Sequence, residues 1–507
     1  MVKRLVLICI SILWLMPAAA LPEADTGAAL YPIRENGLWG YMDRQGNVVI
    51  EPQWARAESF RGQYAVVYPE TDACGAVEDD QCGIIDASGN WVLLPAQWDI
   101  QSTDNYGAYI GGRDEGIYII WERSEQRKKG FFDIPHGFFS GLRYDWVDGE
   151  WVGQVDPELV CVELDGKKGF AGRRTGEILI PCRYDPLQYY CFEGDYCAVL
   201  YGERSSDQWI LMDRKGTEIR LPEDCFLAAV PLKSSDVEQG LVPVRRAEDA
   251  SGFKEGEALC GYIDLEGNMV IEPQYTYAYS FSEGLACVIL SDGGSAVITP
   301  DNEIAAVLQD PVGRFGSDPG YVQGLLKLAH YSESGELEYV YFLDHRCPEA
   351  FRLEIEDMYN TSAPYENGTA FYFVGKRSPS GGYTDLGAGL FNMDGEILTP
   401  PVFDPDEADL YFLNGFEEGL LPICDMASGK YGFIDDRGRW VIAPEWDRAS
   451  DFRDGLALVE KDGRLMYIDR GGAVVWEENS RGRSVIVRGV RTGSHHSFHT
   501  ALWDRII

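Results

Sequence analysis

The sequence predicts an all-β protein, a tandem array of about eleven three-stranded antiparallel β-meander repeats, from three observations. Nearly the same segment occurs at Leu38–Trp54, "LWGYMDRQGNVVIEPQW", and at Tyr431–Trp446, "YGFIDDRGRWVIAPEW". In both segments the residues before the turn would place their side chains alternately on two faces, and a short β-branched run, "VVI" or "VI", follows the turn, as is typical of strands. A glycine divides each segment into two apolar runs, which is typical of a β-hairpin.

The segment Trp39–Gly46, "WGYMDRQG", recurs along most of the chain at intervals of about forty residues. The clear copies begin at Trp39, Cys82, Lys168, Trp209, Cys260, Ala388, Tyr431 and Leu465. Three eroded copies fill the longer intervals, around "GIYIIWERSEQ" after Gly116, "SAVITPDNEI" from Ser295 and "VYFLDHRC" from Val340. The predicted total is therefore eleven.

Each copy carries residues that a hairpin needs. The glycine supplies the positive φ of the turn. The aspartate before it can accept hydrogen bonds from backbone N–H groups of the turn. A calcium loop is the weaker interpretation of this aspartate, because no D-x-D-x-D-G spacing follows. We predict that the recurrent residues of the copies are structural and form the repeat. They are Trp39, Gly40, Asp43, Gly46, Gly89, Gly216, Gly267, Gly395 and Gly438.

A further strand completes each copy. It follows an aromatic residue, polar residues and glycine, as in "SFSEGLACVIL" from Ser280 and "DFRDGLALVEK" from Asp451. Between the hairpin and this strand we expect a loop with Pro and an aromatic residue, such as Pro52 with Trp54. A single sheet of this size is only marginally stable in water. We therefore expect neighbouring copies to stack, with the recurrent aromatic residues between them.

Two arrangements of the stacked copies are open. We expect a curved solenoid, and a β-propeller-like arrangement is the alternative, favoured if the Pro-aromatic loop contains a fourth strand. The predicted divisions are a signal peptide at 1–20, N-terminal repeats at 27–290, divergent repeats at 291–380, C-terminal repeats at 381–478 and a tail at 479–507.

The N-terminus predicts export. Lys3 and Arg4 precede a short apolar run, which ends before Ala18–Ala20, the pattern of a cleaved secretory signal. An uncleaved anchor is the less favoured alternative, because a membrane-spanning helix needs about 20 apolar residues. No later stretch is long enough to span a membrane, so we expect a secreted or cell-envelope protein without a transmembrane segment.

Composition limits the partners. The chain has 507 residues and a formal net charge of −38, and this negative field repels the phosphates of nucleic acid. We therefore expect no nucleic-acid partner.

The cysteines are too sparse for a disulfide scaffold. Twelve are present, and eleven remain after removal of the signal peptide with Cys9, an odd number that leaves at least one thiol without an internal partner. Cys74 and Cys82 flank the connection between two adjacent strands and are the candidate disulfide.

No catalytic, cofactor-binding or metal-binding residues are predicted. His495 and His499 have the i, i+4 spacing that zinc can use on a helix, and we interpret them as part of a polar tail. Nucleophile-elbow, P-loop and dinucleotide motifs do not occur in the sequence. The most divergent stretches, after Trp121 and from Asp310 to Gly320, contain no recognisable constellation of catalytic residues.

The repeat resembles the bacterial WG-repeat family, also called KWG repeats. The resemblance rests on Trp39-Gly40-Tyr41, Asp43, Gly46, Pro52 and the "FSEGLA" run from Phe281 to Ala286, and it covers the chain from about Gly27 to Glu478. It implies a β-rich protein, often exported, with no general catalytic activity or fixed set of functional residues.

The predicted function is that of an exported, non-enzymatic repeat protein, a binding or scaffold surface for a protein or cell-envelope polymer. A carbohydrate-active enzyme on a propeller-like frame is the alternative. The two differ in one feature, since an enzyme needs a copy that departs from the repeat with clustered polar residues, whereas a scaffold needs only regular turns.

Overall fold

The computed structural model describes most of the chain between residues 29 and 478. The described ranges are 29–69, 81–96, 98–102, 116–122, 128–148, 156–185, 187, 190, 192–200, 209–222, 224–228, 232–246, 259–312, 320–332, 337–362, 364–365, 367–378, 383–405 and 415–478. The predicted signal peptide and tail lie outside them. The chain divides into two compact units, residues 1–182 with 478–507, and residues 183–477.

The first unit contains four antiparallel sheets among its described residues. The first sheet comprises β1 (Tyr31–Glu35), β2 (Leu38–Met42) and β3 (Val48–Trp54). The second comprises β4 (Arg56–Ala57), β5 (Tyr64–Tyr68), β6 (Cys82–Asp86) and β7 (Trp91–Ala96). The third comprises β8 (Trp98–Ser102), β9 (Ile117–Glu122), β10 (Lys129–Asp133) and β11 (Phe138–Phe139). The fourth comprises β12 (Trp146–Val147), β13 (Leu159–Leu164), β14 (Lys167–Gly172) and β15 (Ile178–Tyr184).

The second unit contains seven more antiparallel sheets in its described part. The fifth comprises β16 (Tyr196–Leu200), β17 (Trp209–Asp213) and β18 (Glu218–Ile219), and the sixth β19 (Cys225–Leu227), β20 (Val242–Arg246), β21 (Leu259–Ile263) and β22 (Met269–Tyr275). The seventh comprises β23 (Tyr277–Ala278), β24 (Ala286–Ile289), β25 (Ser295–Ile298) and β26 (Ile304–Leu308), and the eighth β27 (Tyr321–Val322), β28 (Leu325–Tyr331), β29 (Leu337–Asp344) and β30 (Glu349–Leu353).

The last three sheets complete this unit. The ninth comprises β31 (Met358–Thr361), β32 (Thr369–Arg377) and β33 (Tyr383–Asn392), the tenth β34 (Leu421–Asp425), β35 (Lys430–Ile434) and β36 (Trp440–Trp446), and the eleventh β37 (Arg448–Ala449), β38 (Leu456–Lys461), β39 (Arg464–Asp469) and β40 (Val474–Glu477). The helical elements among the described residues are α1 (Ser234–Gln239) and one 3-10 turn (Glu417–Gly419).

The predicted all-β array of eleven small antiparallel sheets is confirmed. Most of the sheets have four strands, where the sequence predicts three. Seven of the eleven sheets have four strands. The additional strand begins directly after the Pro-aromatic segment, as in β4, β23 and β37. The sequence analysis favours the β-propeller-like alternative if each copy has a fourth strand. The four-stranded sheets have this strand and match propeller blades in size.

The Pro-aromatic segment is the end of a strand, where the sequence predicts a loop. In the first sheet Trp39 pairs with Trp54 and Tyr41 with Ile50, so the partner strand bulges opposite Gly40. Pro52 lies in this bulge, where its missing N–H removes no ladder hydrogen bond. The same bulge recurs in the sixth and tenth sheets. Because β3, β22 and β36 are edge strands, the proline and the bulge also protect them from pairing with other chains.

Within each unit, neighbouring sheets share their cores. One cluster joins the sixth and seventh sheets through residues such as Tyr262, Ile271 and Val288. Equivalent clusters join the second sheet to the third, the third to the fourth, and each later pair in the second unit. The stability of each unit therefore comes largely from contacts between adjacent copies.

Recurrent aromatic residues lie at these contacts, as the sequence predicts. Tyr41 of the first sheet packs edge-on against Phe60 of the second copy, with ring centroids 4.6 Å apart, and its hydroxyl donates to Glu58 O at 2.7 Å. Tyr262 repeats both contacts with Phe281 and Tyr279 O, at 4.8 Å and 2.7 Å. The aromatic content of the repeat is thus explained largely by packing between copies.

A polar link also connects successive copies in the second unit. At three places among the described residues, the side chain before a positive-φ glycine accepts a hydrogen bond from the corresponding glycine N–H of the next copy. These bonds run from Gly284 N to Gln239 Oε1 (2.8 Å), from Gly324 N to Glu283 Oε2 (2.8 Å) and from Gly455 N to Glu418 Oε1 (3.0 Å). The conspicuous "FSEGLA" element therefore joins neighbouring repeats.

Candidate functional site

The predicted turn residues lie in the hairpin turns. Asp43 Oδ1 accepts the N–H groups of Gln45 and Asn47 at 2.9 and 2.8 Å. Hydrogen bonding, chiefly from the Asn47 side chain, lowers the pKa of Asp43. Asp264 accepts the same pair of backbone N–H groups in its own turn. The recurrent aspartate thus closes turns, and the described residues include no group of three or more side chains suited to hold a metal ion.

The turn glycines have positive φ, and four of them, Gly89, Gly267, Gly395 and Gly438, also lie against residues of the preceding copy. Their φ values are +83° at Gly46, +80° at Gly89, +78° at Gly216, +87° at Gly267, +84° at Gly395 and +71° at Gly438. A Cβ atom at Gly267 would lie 2.6 Å from Arg220 O in the preceding copy. Asn302 and Cys347 occupy this turn position in the seventh and eighth sheets, also with positive φ.

Trp39 and Gly40 have distinct structural roles. Trp39 is buried, and the Arg34 guanidinium carbon lies 5.5 Å from the centroid of its ring. A Cβ at Gly40 would lie 2.6 Å from Pro52 N and closer still to Ile50 O. The glycine is therefore required because the bulged strand fills the space of a side chain.

Cys82 is buried in β6. Cys74 lies outside the described residues, so the disulfide between them stays a prediction. His495 and His499 likewise lie outside the described part of the chain.

The third sheet contains a copy that the sequence analysis placed too early. Its hairpin uses "KGFFD", Lys129–Asp133, and turns at Gly137, whereas the predicted copy was centred on "GIYIIWERSEQ". A Cβ at Gly130 would clash with Gly141 O, as at Gly40. The match of "KGFFD" to "WGYMD" is the signal that could have located this copy.

Lysine replaces the name-giving tryptophan in the third and fourth copies, at Lys129 and Lys168. Both lysines are buried. The Lys129 ammonium lies 3.2 Å from the ring centroid of Trp146 and 4.9 Å from that of Trp121. A cation over an indole face is stabilised by the ring quadrupole. We call Trp121, Lys129, Trp146, Asp148, Glu163 and Lys168 the lysine–tryptophan cluster.

Two carboxylates complete this cluster. Lys168 Nζ forms an ion pair with Asp148 Oδ2 at 2.7 Å, and both side chains are almost fully buried. Glu163 on β13 pairs with Trp146 on one neighbouring strand and with Lys168 on the other. Burial raises the pKa of Glu163, an effect that Lys168 opposes. The cluster therefore combines hydrogen-bond donors, acceptors and an aromatic surface.

At the opposite end of β10 lies a second group, the Asp–His–Arg cluster of Asp133, His136 and Arg173. The fully buried Asp133 carboxylate lies 2.5 Å from both Arg173 Nε and His136 Nδ1. Arg173 also donates to Gly116 O at 2.7 Å and to Asp156 O at 3.1 Å. Asp133 occupies the position of Asp43, but it binds side chains instead of closing a regular turn.

A second aspartate–histidine pair lies beside the other divergent stretch. His330 Nδ1 lies 2.9 Å from Asp310 Oδ1, and Tyr341 donates to Asp310 Oδ2 at 2.9 Å. The His330 ring stacks on Tyr339 with centroids 4.7 Å apart, and the Arg352 guanidinium lies 4.4 Å from the Tyr339 centroid. Neither pair was predicted from the sequence: His136 follows Asp133 by three positions within a hairpin that was not located, and Asp310 meets His330 of the next sheet only in the folded chain.

A repeated surface feature lies on the edge strands. In four of the sheets the third residue after the turn glycine is a largely exposed aliphatic residue. We call these residues, Val49, Leu179, Val270 and Val441, the aliphatic set; their exposed fractions are 50%, 58%, 48% and 48%. The next residue in each strand is buried, for example Ile50 and Ile271. These four copies therefore present the same apolar position to solvent.

These features define a β-repeat protein of small, blade-like antiparallel sheets joined by inter-copy cores. The family model described as WG containing repeat matches residues 39–68, 261–292 and 431–464, which supports a WG-repeat family for these copies. Comparison with curated proteins finds no match. None of the helices among the described residues is both long and apolar enough to cross a membrane.

Three solved structures show distant similarity. One is described as a eukaryotic initiation factor, with 11% identity, coverage of 74% of this chain and 95% of that chain, and a TM-score of 0.38. BamB from Moraxella catarrhalis has 12% identity, coverage of 70% and 94%, and a TM-score of 0.28. Apo AztD from Citrobacter koseri has 10% identity, coverage of 80% and 93%, and a TM-score of 0.24.

Proposed function

We propose that this chain is an exported, non-enzymatic bacterial protein that acts as a binding or scaffold surface for a protein or cell-envelope polymer. The observation that carries the proposal is the aliphatic set, an exposed apolar position repeated at the same place in several sheets. Threonine would satisfy the strand preference at this position without exposing an apolar side chain. Retention of Val or Leu is therefore better explained by contact with a ligand.

The test is a triple variant, Val49→Thr, Val270→Thr and Val441→Thr. The matched control replaces three other exposed aliphatic residues outside the set, Leu38→Thr, Leu259→Thr and Val322→Thr, which are 42%, 40% and 44% exposed. We expect the set variant to bind its ligand, in envelope extracts or on a glycan array, at least about tenfold more weakly than wild type does. The reason is that a few positions supply most of the binding energy of an interface. Binding by the control should change less than about twofold.

Equal binding by wild type and set variant would refute the role of this surface. Equal loss in set and control variants would show nonspecific apolar adhesion and would also refute it.

Export is proposed from Lys3, Arg4, the apolar run after them and Ala18–Ala20. We expect N-terminal sequencing of the secreted protein to begin at Leu21 or a close neighbour. Recovery of the protein in the cytosol with Met1 intact would contradict export.

The alternative, a carbohydrate-active enzyme, is favoured by the Asp–His–Arg cluster. Here a copy departs from the repeat with clustered polar side chains, and an imidazole held by a carboxylate is an arrangement that general bases use. Hydrolysis of a glycan by wild type and its loss in His136→Gln would make the enzyme the better explanation.

A further inference from the structure

We propose that the lysine–tryptophan cluster is a subsite for one neutral pyranose unit of a glycan. The inference deepens the proposed binding function and rests on it, by naming the chemical class of one ligand group. It concerns the third and fourth sheets, which lie in the first unit.

The indole of Trp146 supplies the apolar platform. It is 38% exposed although it lies in a strand, and the Lys129 ammonium is held against its ring. Lys129 itself is buried. The C–H face of a pyranose ring is apolar and fits an exposed aromatic face, while its hydroxyls need polar partners at the ring edge.

The polar partners lie beside the same platform. Trp146, Glu163 and Lys168 are consecutive cross-strand neighbours, and Asp148 follows Trp146 by two positions, which places it on the same side of the sheet. Asp148 Oδ1 is buried and accepts no hydrogen bond from any described residue. A buried acceptor without a donor is costly, so packing alone does not explain this carboxylate, while the half-buried Glu163 is the carboxylate of the cluster that a ligand hydroxyl can reach.

The charge of the cluster favours a neutral ligand. The carboxylates of Asp148 and Glu163 balance the ammonium groups of Lys129 and Lys168. An anionic ligand would meet these carboxylates and the formal net charge of −38. A cationic ligand would meet two ammonium groups, one of which already lies over the exposed indole. Hydroxyl groups both donate and accept, so a neutral polyol matches both kinds of partner.

A purely structural role explains the cluster poorly. The position of Lys129 and Lys168 is occupied by buried apolar residues in other copies, including Trp39, Cys260 and Ala388. Burying charges at this position costs desolvation energy, and an apolar residue of similar volume is often as stable or more stable. Two successive copies that retain lysine here therefore point to a role beyond packing.

The experiment titrates the full mature chain with three probes, cellotriose, maltotriose and triacetylchitotriose, by calorimetry and saturation-transfer NMR. We expect at least one to bind, and Trp146→Ala to weaken it by at least about tenfold, because the indole supplies both the stacking contact and most of the apolar area that the sugar ring would cover. Glu163→Gln keeps the side-chain shape and should weaken the same probe by about two- to fivefold. The control is Trp440→Ala, because Trp440 is 36% exposed but lies outside the cluster, against Phe403.

The subsite is wrong if no probe binds, if Trp146→Ala and Glu163→Gln both bind as wild type does, or if Trp440→Ala causes the same loss. Thermal melting of each variant identifies one that fails to fold, and in that case the other cluster variant decides. Failure of the subsite can be distinguished from failure of the proposed function. If no trisaccharide binds but the aliphatic-set variant still loses its envelope ligand, only the subsite is refuted; trisaccharide binding without any effect of the aliphatic set refutes only that surface.

Discussion

Replacing Gly261 by alanine is expected to destabilise the chain by about 2–4 kcal/mol, because the new Cβ has no space. Gly261 holds the Gly40 position in the sixth sheet, and its Cβ would lie 2.7 Å from Pro273 N and closer still to Ile271 O. These are backbone atoms of the bulged strand, so relief requires that the bulge open. The measurement is the free energy of unfolding in urea, followed by circular dichroism.

Gly293→Ala is the matched control for this prediction. Gly293 has a φ of +85°, and its Cβ would meet nothing within 4 Å. It therefore carries the cost of left-handed backbone alone, about 1–2 kcal/mol. If the two variants lose equal stability, close approach of the bulge is not the reason for glycine at this position.

Replacing Arg173 by methionine is expected to cost about 3–5 kcal/mol, because the buried Asp133 carboxylate then loses its buried cationic partner and keeps only the part-exposed His136 imidazole. The lost guanidinium also leaves Gly116 O and Asp156 O without hydrogen bonds that it donates. The double variant Arg173→Met with Asp133→Asn should recover part of the loss, since the buried carboxylate charge is then removed as well. Urea unfolding of the single and double variants measures both effects.

The control for Arg173 is an exposed arginine of the same unit. Arg143 pairs with Glu177 at 3.3 Å, and the two side chains are 46% and 73% exposed. Arg143→Met should change stability by less than about 1 kcal/mol, because solvent screens exposed pairs. A similar loss in both variants, or no recovery in the double variant, would contradict the role of the buried charge.

Features that depend on a few adjacent residues could be predicted from the sequence. The turn of Asp43 and Gly46 is closed by bonds that span at most four positions, so its residue types carry most of the information. The short apolar runs on either side of Gly267 likewise predicted two strands. Because this local pattern recurs along the chain, it also predicted the number of sheets, eleven.

Other features were decided by partners far away in sequence. The role of Pro52 depends on the bulge opposite Gly40, and no local pattern shows on which strand a bulge falls. The Asp–His–Arg cluster needs Arg173 to meet Asp133 across forty positions. Asp133 occupies the same position of the repeat as the aspartates that close turns, so the sequence pattern does not predict that it forms a buried ion pair.

The sequence by itself determined the all-β class, the number of copies and the position of most hairpin turns, because backbone conformation at a turn is set by its own residues. Only the tertiary structure decided which side chains meet between copies, including Lys129 with Trp146 and Lys168 with Asp148. The physical reason is that these contacts depend on strand register and on the packing of neighbouring sheets, and each repeat specifies them only when its neighbours are in place.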